Sequence, residues 1–476
     1  MINPVSPSYM RKGVLRLLFP ALLLVLTGCM VGPDYKRPAV DVPEEYRGET
    51  AAEESAASLA DEEWWEVFQD PELTRLIETA IEQNYDVQIA AARVLQARAI
   101  LGVTQADQFP TINATGGITN QRSPRFGPTP AFEVTDYQIG LAGQWTLDFW
   151  GQYRRATEAA RARLLASEWA EKEVVSVLVA NVAAAYFQLR KLDLELEISK
   201  NTLASREESL DLTNIREERG LSSLLDVRQA EQLVYTASTR IPALERDIAQ
   251  QENFLSTLLG QNPGPIARGL TLTEQPRPPD IPAGLPSALL ERRPDIRRAE
   301  EELTAANADI GVAKAAWFPQ INLTGSAGYQ SDELSNLFTG PAGIWSAAAA
   351  FVQPIFEAGR ISSNVRLSEA EYQEMMLTYQ RTIQGAFRDV SDALVSYRKN
   401  REFRVEQEKL VEAARDSARL SELRFGKGET DYLEVLTNET NYFSAQLELA
   451  EAYLGELTAL VEVYRALGGG WQEDGA

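Results

Sequence analysis

Apolar and polar positions alternate with two periods along this chain, and the periods follow one another in the same order twice. From Tyr137 the alternation is strict. Tyr137, Ile139, Leu141, Gly143, Trp145 and Leu147 fall on one side, with Gln138, Gly140, Ala142, Gln144, Thr146 and Asp148 on the other. A period of two predicts a strand with one oily face and one wet face. Residues 321–329 repeat it, with Ile321, Leu323, Ala327 and Tyr329 opposite Asn322, Thr324 and Ser326. Residues 111–119 and 345–353 are weaker versions, rich in Gly and Ala respectively. Elsewhere the chain is helical in character. Between Gly151 and Gly220 lie 68 residues with neither Gly nor Pro, and a continuous helix there would be about 100 Å long at about 1.5 Å per residue. Residues 360–425 hold only Gly385 as a weak interruption. Gly220 and Gly426-Lys427-Gly428 then supply the backbone freedom for each helix to reverse.

The returning segments carry mostly apolar positions at Ala237, Ile241, Leu244, Ile248, Gln251, Leu255 and Leu258, polar only at Gln251, and again at Phe443, Leu447, Ala450, Leu454, Leu457, Val461 and Tyr464. Steps of four and three are those of a heptad, which predicts coiled-coil packing; an ordinary amphipathic helix is the alternative. Internal similarity extends beyond periodicity. Asp107-Gln108-Phe109-Pro110-Thr111-Ile112-Asn113 matches Ala316-Trp317-Phe318-Pro319-Gln320-Ile321-Asn322 at an offset of about 209 residues. Gly151 aligns with Gly359, Gly220 with Gly428, and Leu259-Gly260 with Leu467-Gly468. The pattern predicts a tandem duplication in which each copy reads helix, two strands, very long helix, tight turn, returning helix.

The strands are long enough to cross a bilayer, since a tilted membrane strand needs roughly 9 to 11 residues. A half-buried soluble hairpin gives the same alternation. The N-terminus weighs for the membrane. Arg11, Lys12 and Arg16 precede the mostly apolar run 17–26, and Leu26-Thr27-Gly28-Cys29 closes it. That run suits an export signal and is too short to span, and the residues around Cys29 resemble a lipobox, whose cysteine carries diacylglycerol after cleavage. Met30 rather than aspartate after the cysteine favours, by resemblance to lipoproteins, the outer membrane. Four strands cannot close a barrel, and hydrocarbon does not tolerate an open edge. Several chains must therefore share one pore. Two chains would give a filled interior and three could leave a lumen, which favours a homotrimer with a twelve-stranded barrel.

Composition narrows the function classes. Lys and Arg number 46 against 69 Asp and Glu, a net charge of −23, which gives no basic surplus for nucleic acid. Histidine is absent and Cys29 is the single cysteine, so most zinc sites, imidazole triads and structural disulfides are excluded; no metal, cofactor or catalytic residue is expected. The expected organisation is a signal peptide at 1–28, a lipidated tail and equatorial start at 29–70, a first repeat at 71–260, a proline-rich rigid linker at 261–286, a second repeat at 287–468 and a tail at 469–476. The Pro-, Ala- and Glu-rich stretch 30–60 suits an extended spacer.

Gly32-Pro33-Asp34-Tyr35-Lys36-Arg37-Pro38, Trp64-Trp65 followed by Phe68-Gln69-Asp70-Pro71-Glu72-Leu73, and Arg292-Arg293-Pro294-Asp295-Ile296 resemble the TolC-like outer-membrane factors, in particular the NodT or OprM-type lipoprotein branch. Phe109-Pro110, Phe318-Pro319 and the closing Ala466-Leu467-Gly468-Gly469-Gly470-Trp471 fit the same likeness. The resemblance implies a mainly α fold with membrane β: a periplasmic α-barrel of long coiled-coil helices beneath a trimeric twelve-stranded β-barrel. It implies a passive exit duct for small molecules or drugs, joined through a periplasmic membrane-fusion adaptor to an inner-membrane pump, usually of the resistance-nodulation-division class. A type I protein-secretion duct shares the fold, and a lipid-anchored periplasmic coiled-coil scaffold is a more distant alternative.

Within that likeness the helix reversals at Gly220, Gly426 and Gly428 mark the tip where the adaptor docks. Leu225, Asp226, Leu433 and Glu434 follow them directly. Apolar rings can block an aperture by dewetting and carboxylate rings can filter charge; Leu433 is the expected apolar ring, with Asp226 and Glu434 at the tip. Relatives often place an aspartate and an arginine where this chain has Thr437 and Thr440, so Glu439 is the remaining source of negative charge there.

Overall fold

The computed structural model describes residues 30–43, 45–47, 58–59, 67–125, 127–128, 130–278, 281, 283–284 and 286–471. Cys29, the export signal and Trp64-Trp65 lie outside the described residues. In chain order come α1 (Pro71–Gln83), α2 (Tyr85–Ala106), β1 (Thr111–Ser123), β2 (Phe132–Leu147), α3 (Gln152–Glu218), α4 (Leu224–Leu258), α5 (Pro286–Arg292), α6 (Pro294–Ala315), β3 (Gln320–Ser331), β4 (Gly343–Val352), α7 (Arg360–Lys427) and α8 (Tyr432–Ala466). The order from α1 to α4 recurs from α5 to α8. Two compact units are formed. The first contains the described residues up to Pro38 with Val94–Ala166 and Ala299–Tyr379; the second contains Ala39–Arg93, Ser167–Arg298 and the chain from Gln380 onward.

Local chemistry explains where the elements begin and stop. Asp70 caps α1 by accepting from the backbone N–H groups of Glu72 and Leu73, with Pro71 at the first helical position. Leu73, Leu76, Ile77 and Ala80 then form its buried stripe. The absence of helix breakers lets α3 run for 67 residues and α7 for 68, through Gly385. Each ends in a Schellman turn. Gly220 donates to Glu217 O at 2.8 Å and Leu221 to Arg216 O at 2.8 Å; Gly428 donates to Phe425 O at 2.9 Å and Glu429 to Arg424 O at 2.9 Å. Only a left-handed residue closes this turn easily, and φ is +71° at Gly220 and +75° at Gly428. Gly426 corrects the sequence expectation, because it lies inside α7 and the reversal belongs to Gly428.

The returning helices use the heptad positions as seams. Ala237, Leu244 and Leu255 are buried on α4, as are Phe443, Ala450, Leu454, Leu457, Val461 and Tyr464 on α8. The helices meet through Ala230 and Leu233 on α4 and Tyr432 and Val435 on α8. Beyond Ala450 the seam widens, since Ala452, Glu456, Ala459, Leu460 and Val463 are buried as well. Each copy also ties the end of its returning helix to the joint between its two short helices. Asn84 Nδ2 donates to Leu258 O at 2.9 Å in the first. Arg293 Nη1 donates to Ala466 O at 3.2 Å in the second.

Described residues of the extended tail and of the proline-rich linker are held against the body. In the first unit Val31 N donates to Trp150 O at 3.0 Å, Arg155 pairs with Asp34 at 2.7 Å and Arg37 with Glu300 at 2.7 Å. Gly32 packs so closely on Gly311 that neither has room for a Cβ. In the second unit the proline-rich linker buries Ile266, Leu272 and Gln275, and Arg190 donates to Leu270 O at 2.9 Å. Proline content predicted the extended backbone but carries no information about what that backbone packs on.

Candidate functional site

The four strands form one antiparallel sheet in the order β1-β2-β3-β4. Its register decides which residues share a face. Leu141 lies opposite Ala114 and Ala327, Trp145 opposite Leu323, Ile139 opposite Gly116 and Tyr329, and Ala327 opposite Trp345. Directly opposed residues point to the same side, so the oily side of each strand joins one continuous apolar face. That face is uncovered: Ile112, Ile118 and Phe351 are 71%, 70% and 67% exposed, and Trp345 is 81% exposed. Exposing so much contiguous apolar surface to water is unfavourable, and such a patch marks a partner or a membrane.

The other face is wet and internally bonded. Thr146 Oγ1 donates to Asn322 Oδ1 at 2.7 Å, the hydroxyls of Ser326 and Ser346 lie 2.8 Å apart, and Gln330 Nε2 donates to Asp136 Oδ2 at 2.8 Å. Gly140 and Gly328 sit opposite one another on this face. A Cβ on Gly140 would come within 2.8 Å of Ala327 O, and one on Gly328 would strike Ile139 O and Gly140 Cα. Both outer edges, on β1 and β4, lack a second strand among the described residues. Trp150 donates its indole N–H to Pro319 O at 2.8 Å and stacks on Phe318 at 4.7 Å, tying the two copies together where strands meet helices.

At the helix reversals the side chains named from the sequence have distinct surroundings. Leu225 and Leu433 are 65% and 53% exposed. Asp226 belongs to a capping box: its Oδ2 accepts from Ser223 N at 2.7 Å while its own N–H donates to Ser223 Oγ at 3.2 Å. Glu434 pairs with Arg424 at 2.5 Å and accepts from the Thr430 hydroxyl. Asp431 caps α8 through Glu434 N. Thr437 and Thr440 bond back to Leu433 O and Leu436 O on their own helix.

Glu439 has different surroundings. It lines a cleft of about 350 Å³ between α3, α7 and α8, together with Glu197, Arg415, Arg419, Glu422 and Tyr442. Burial pushes its carboxyl up from the usual range, the charge of Glu422 adds to this and Arg206 opposes it. Burial alone raises Glu422. Arg206, 3% exposed, donates to Leu233 O at 2.8 Å and lies over the Phe443 ring at 4.9 Å. Sequence reasoning missed Arg206, because an arginine in a charged helix reads as solvated until the neighbouring helix is in place.

A four-stranded sheet that is oily on an uncovered face, polar on the other and open at both edges, in a chain whose other elements are mostly long helices, defines one protomer of a membrane channel. The chain belongs to the outer membrane efflux protein family, whose model matches residues 76–261 and again 285–469. It is similar to the probable efflux pump outer membrane protein TtgC of Pseudomonas putida, 37% identical over 471 residues and covering 98% of this chain and 97% of that one. It is also similar to the probable outer membrane lipoprotein SilC of Salmonella typhimurium, at 34% identity over 96% and 99% of the two chains. Among solved structures, the open state of the Neisseria gonorrhoeae MtrE outer membrane channel superposes with a TM-score of 0.85 at 32% identity, covering 93% of this chain and 98% of that one.

Proposed function

We propose that three copies of this chain form the outer-membrane exit duct of a tripartite efflux system, passing small molecules outward without chemical change. The observation that carries this is the four-stranded sheet with its continuous exposed apolar face and two unpaired edges. Lipid satisfies the face, and edge-to-edge pairing of β4 with a neighbour's β1 satisfies the backbone. Three copies give twelve strands, enough to leave a lumen. The recurrence of every element, the paired Schellman turns and the double match to the family support descent by tandem duplication.

The remaining assignments rest on the sequence likeness and the relatives. Cys29 carries the lipid that anchors the chain to the outer membrane. The turns at Gly220 and Gly428 dock a periplasmic membrane-fusion adaptor, which connects to an inner-membrane pump of the resistance-nodulation-division type. The exposed Leu433, seconded by Leu225, supplies the apolar constriction. Asp226 and Glu434 stiffen the turns beside it through their cap and ion pair. The duct is a conduit with no reaction assigned to it. The test is reconstitution of the purified chain in a planar bilayer: stepwise ion conductance from an oligomer is expected. A water-soluble monomer with no conductance would refute the duct.

A further inference from the structure

Register separates the ionisable groups of the sheet by face. Glu133 is paired with Arg122 and lies on the same side as Tyr137 and Ile139, the apolar side. The polar face carries Thr111, Asn113, Thr115, Thr119, Gln121 and Ser123 on β1, Gln138, Gln144 and Thr146 on β2, Asn322, Thr324, Ser326 and Gln330 on β3, with glycines, alanines and the larger apolar Phe132, Val134, Ile344 and Val352 among its remaining positions. Among the paired positions of this face Asp136 is the one ionisable side chain. It lies opposite Thr119, toward the β1–β2 connection and away from the strand ends that join α2 and α3. Gln330 Nε2 holds Oδ2 at 2.8 Å. Among the described residues no ion pair involves it. Asp136 and Gln330 open on a cleft of about 570 Å³ shared with Asp332, Asn336 and Thr339.

We propose that Asp136 is the charge-discriminating residue of the β-barrel section of the duct, oriented by Gln330, and that it passes cationic and neutral cargo in preference to anionic cargo. This rests on the duct reading, in which the polar face lines the lumen and the β1–β2 connection faces outward. Threefold repetition then places three Asp136 carboxylates in one ring among paired positions that are otherwise uncharged. Carboxylate rings enrich cations where low-dielectric walls focus the field. A local potential of about −1 kT at such a ring favours a monovalent cation over an anion by roughly sevenfold. The paired positions beneath the ring carry no charge with which to discriminate.

The test uses the full chain in planar bilayers with a potassium chloride gradient across the membrane. Asp136→Asn, nearly isosteric, is expected to lower the cation-to-anion permeability ratio by about threefold or more, while Asp136→Glu retains it. Glu133→Gln, three residues nearer the β1–β2 connection on the opposite face, is expected to leave it unchanged. Asp136→Cys allows the charge to be replaced in an assembled channel: an anionic thiosulfonate should restore cation preference and a cationic one should push it toward anions, with the reagent-treated parent unaffected. A conducting Asp136→Asn channel with the parent's ratio, or an equal effect of Glu133→Gln, overturns the assignment and leaves the duct standing. A parent that never conducts removes the duct and this assignment with it.

Discussion

Asp70 offers the sharpest test of how the second unit is held together. Its carboxylate is fully buried and accepts from five donors: the N–H groups of Glu72 and Leu73 at the start of α1, the Tyr186 hydroxyl on α3 at 2.9 Å, Leu270 N at 3.0 Å and Gln275 Nε2 at 2.7 Å in the linker. Replacement by alanine strips a helix cap, worth about 1 kcal/mol. It also orphans the Tyr186, Leu270 and Gln275 donors, at about 1–3 kcal/mol each where no water replaces the carboxylate. Summed, the loss is about 4–10 kcal/mol, with the lower end applying if water enters the vacated space. Asp70→Asn keeps the volume and one acceptor but turns an amide N–H₂ toward existing donors, a loss of about 2–4 kcal/mol. Apparent melting temperatures of the detergent-solubilised protein, followed by far-ultraviolet circular dichroism at one scan rate, should therefore rank parent above Asn above Ala. The two variants falling together within a degree of the parent would refute the hub, because even the lower end of the range shifts the melting temperature by more than that.

Other consequences reach the duct itself. Gly328→Val drives a branched side chain into the backbone of β2, where neither strand of the ladder can yield; an overpacking penalty of about 1–3 kcal/mol or more should abolish the assembled oligomer on semi-native gels, whereas Gly117→Ala, which meets nothing within 4 Å, should assemble normally. Leu433→Ser, at a half-exposed position after the turn, should raise the single-channel open fraction, and an unchanged open fraction removes Leu433 from the constriction. The cleft acids predict a pH dependence. Folding raises both Glu439 and Glu422 above the ordinary 4.5, so the folded state binds more protons than the unfolded one between that value and the raised ones. Stability of the α3–α7–α8 region should therefore fall as pH rises through this window, and Glu439→Gln should flatten the fall in hydrogen-exchange protection; identical profiles for parent and variant would exclude Glu439 as its source.

How much of this could be read from residues alone varies with the range of the interaction. Strand positions were legible because every second residue of 137–147 is committed to one side. The helix reversals were legible because only glycine closes a Schellman turn cheaply, although composition could not distinguish Gly426 from Gly428: both are glycine, and only the hydrogen bonds of the last turn show which one leaves the helix. Asp226 and Glu434 looked like free tip charges. Three-dimensional structure gives one to the Ser223 cap and the other to Arg424, and a carboxylate so engaged stiffens a turn. The tail after Met30 read as an extended spacer and the segment after Gly260 as a rigid linker, since proline-rich sequence states backbone shape and says nothing of the surface that receives it.

By itself, then, the sequence determined the lengths, periods and order of the elements, their recurrence, and the inability of one chain to complete a closed sheet, because each depends on residue spacing along the backbone. Tertiary structure alone decided the register that gathers the apolar residues of four strands onto one face and leaves Asp136 unneutralised on the other. It also decided the burial of Asp70, Arg206 and Glu439, because a side chain's solvation is set by neighbours hundreds of residues away.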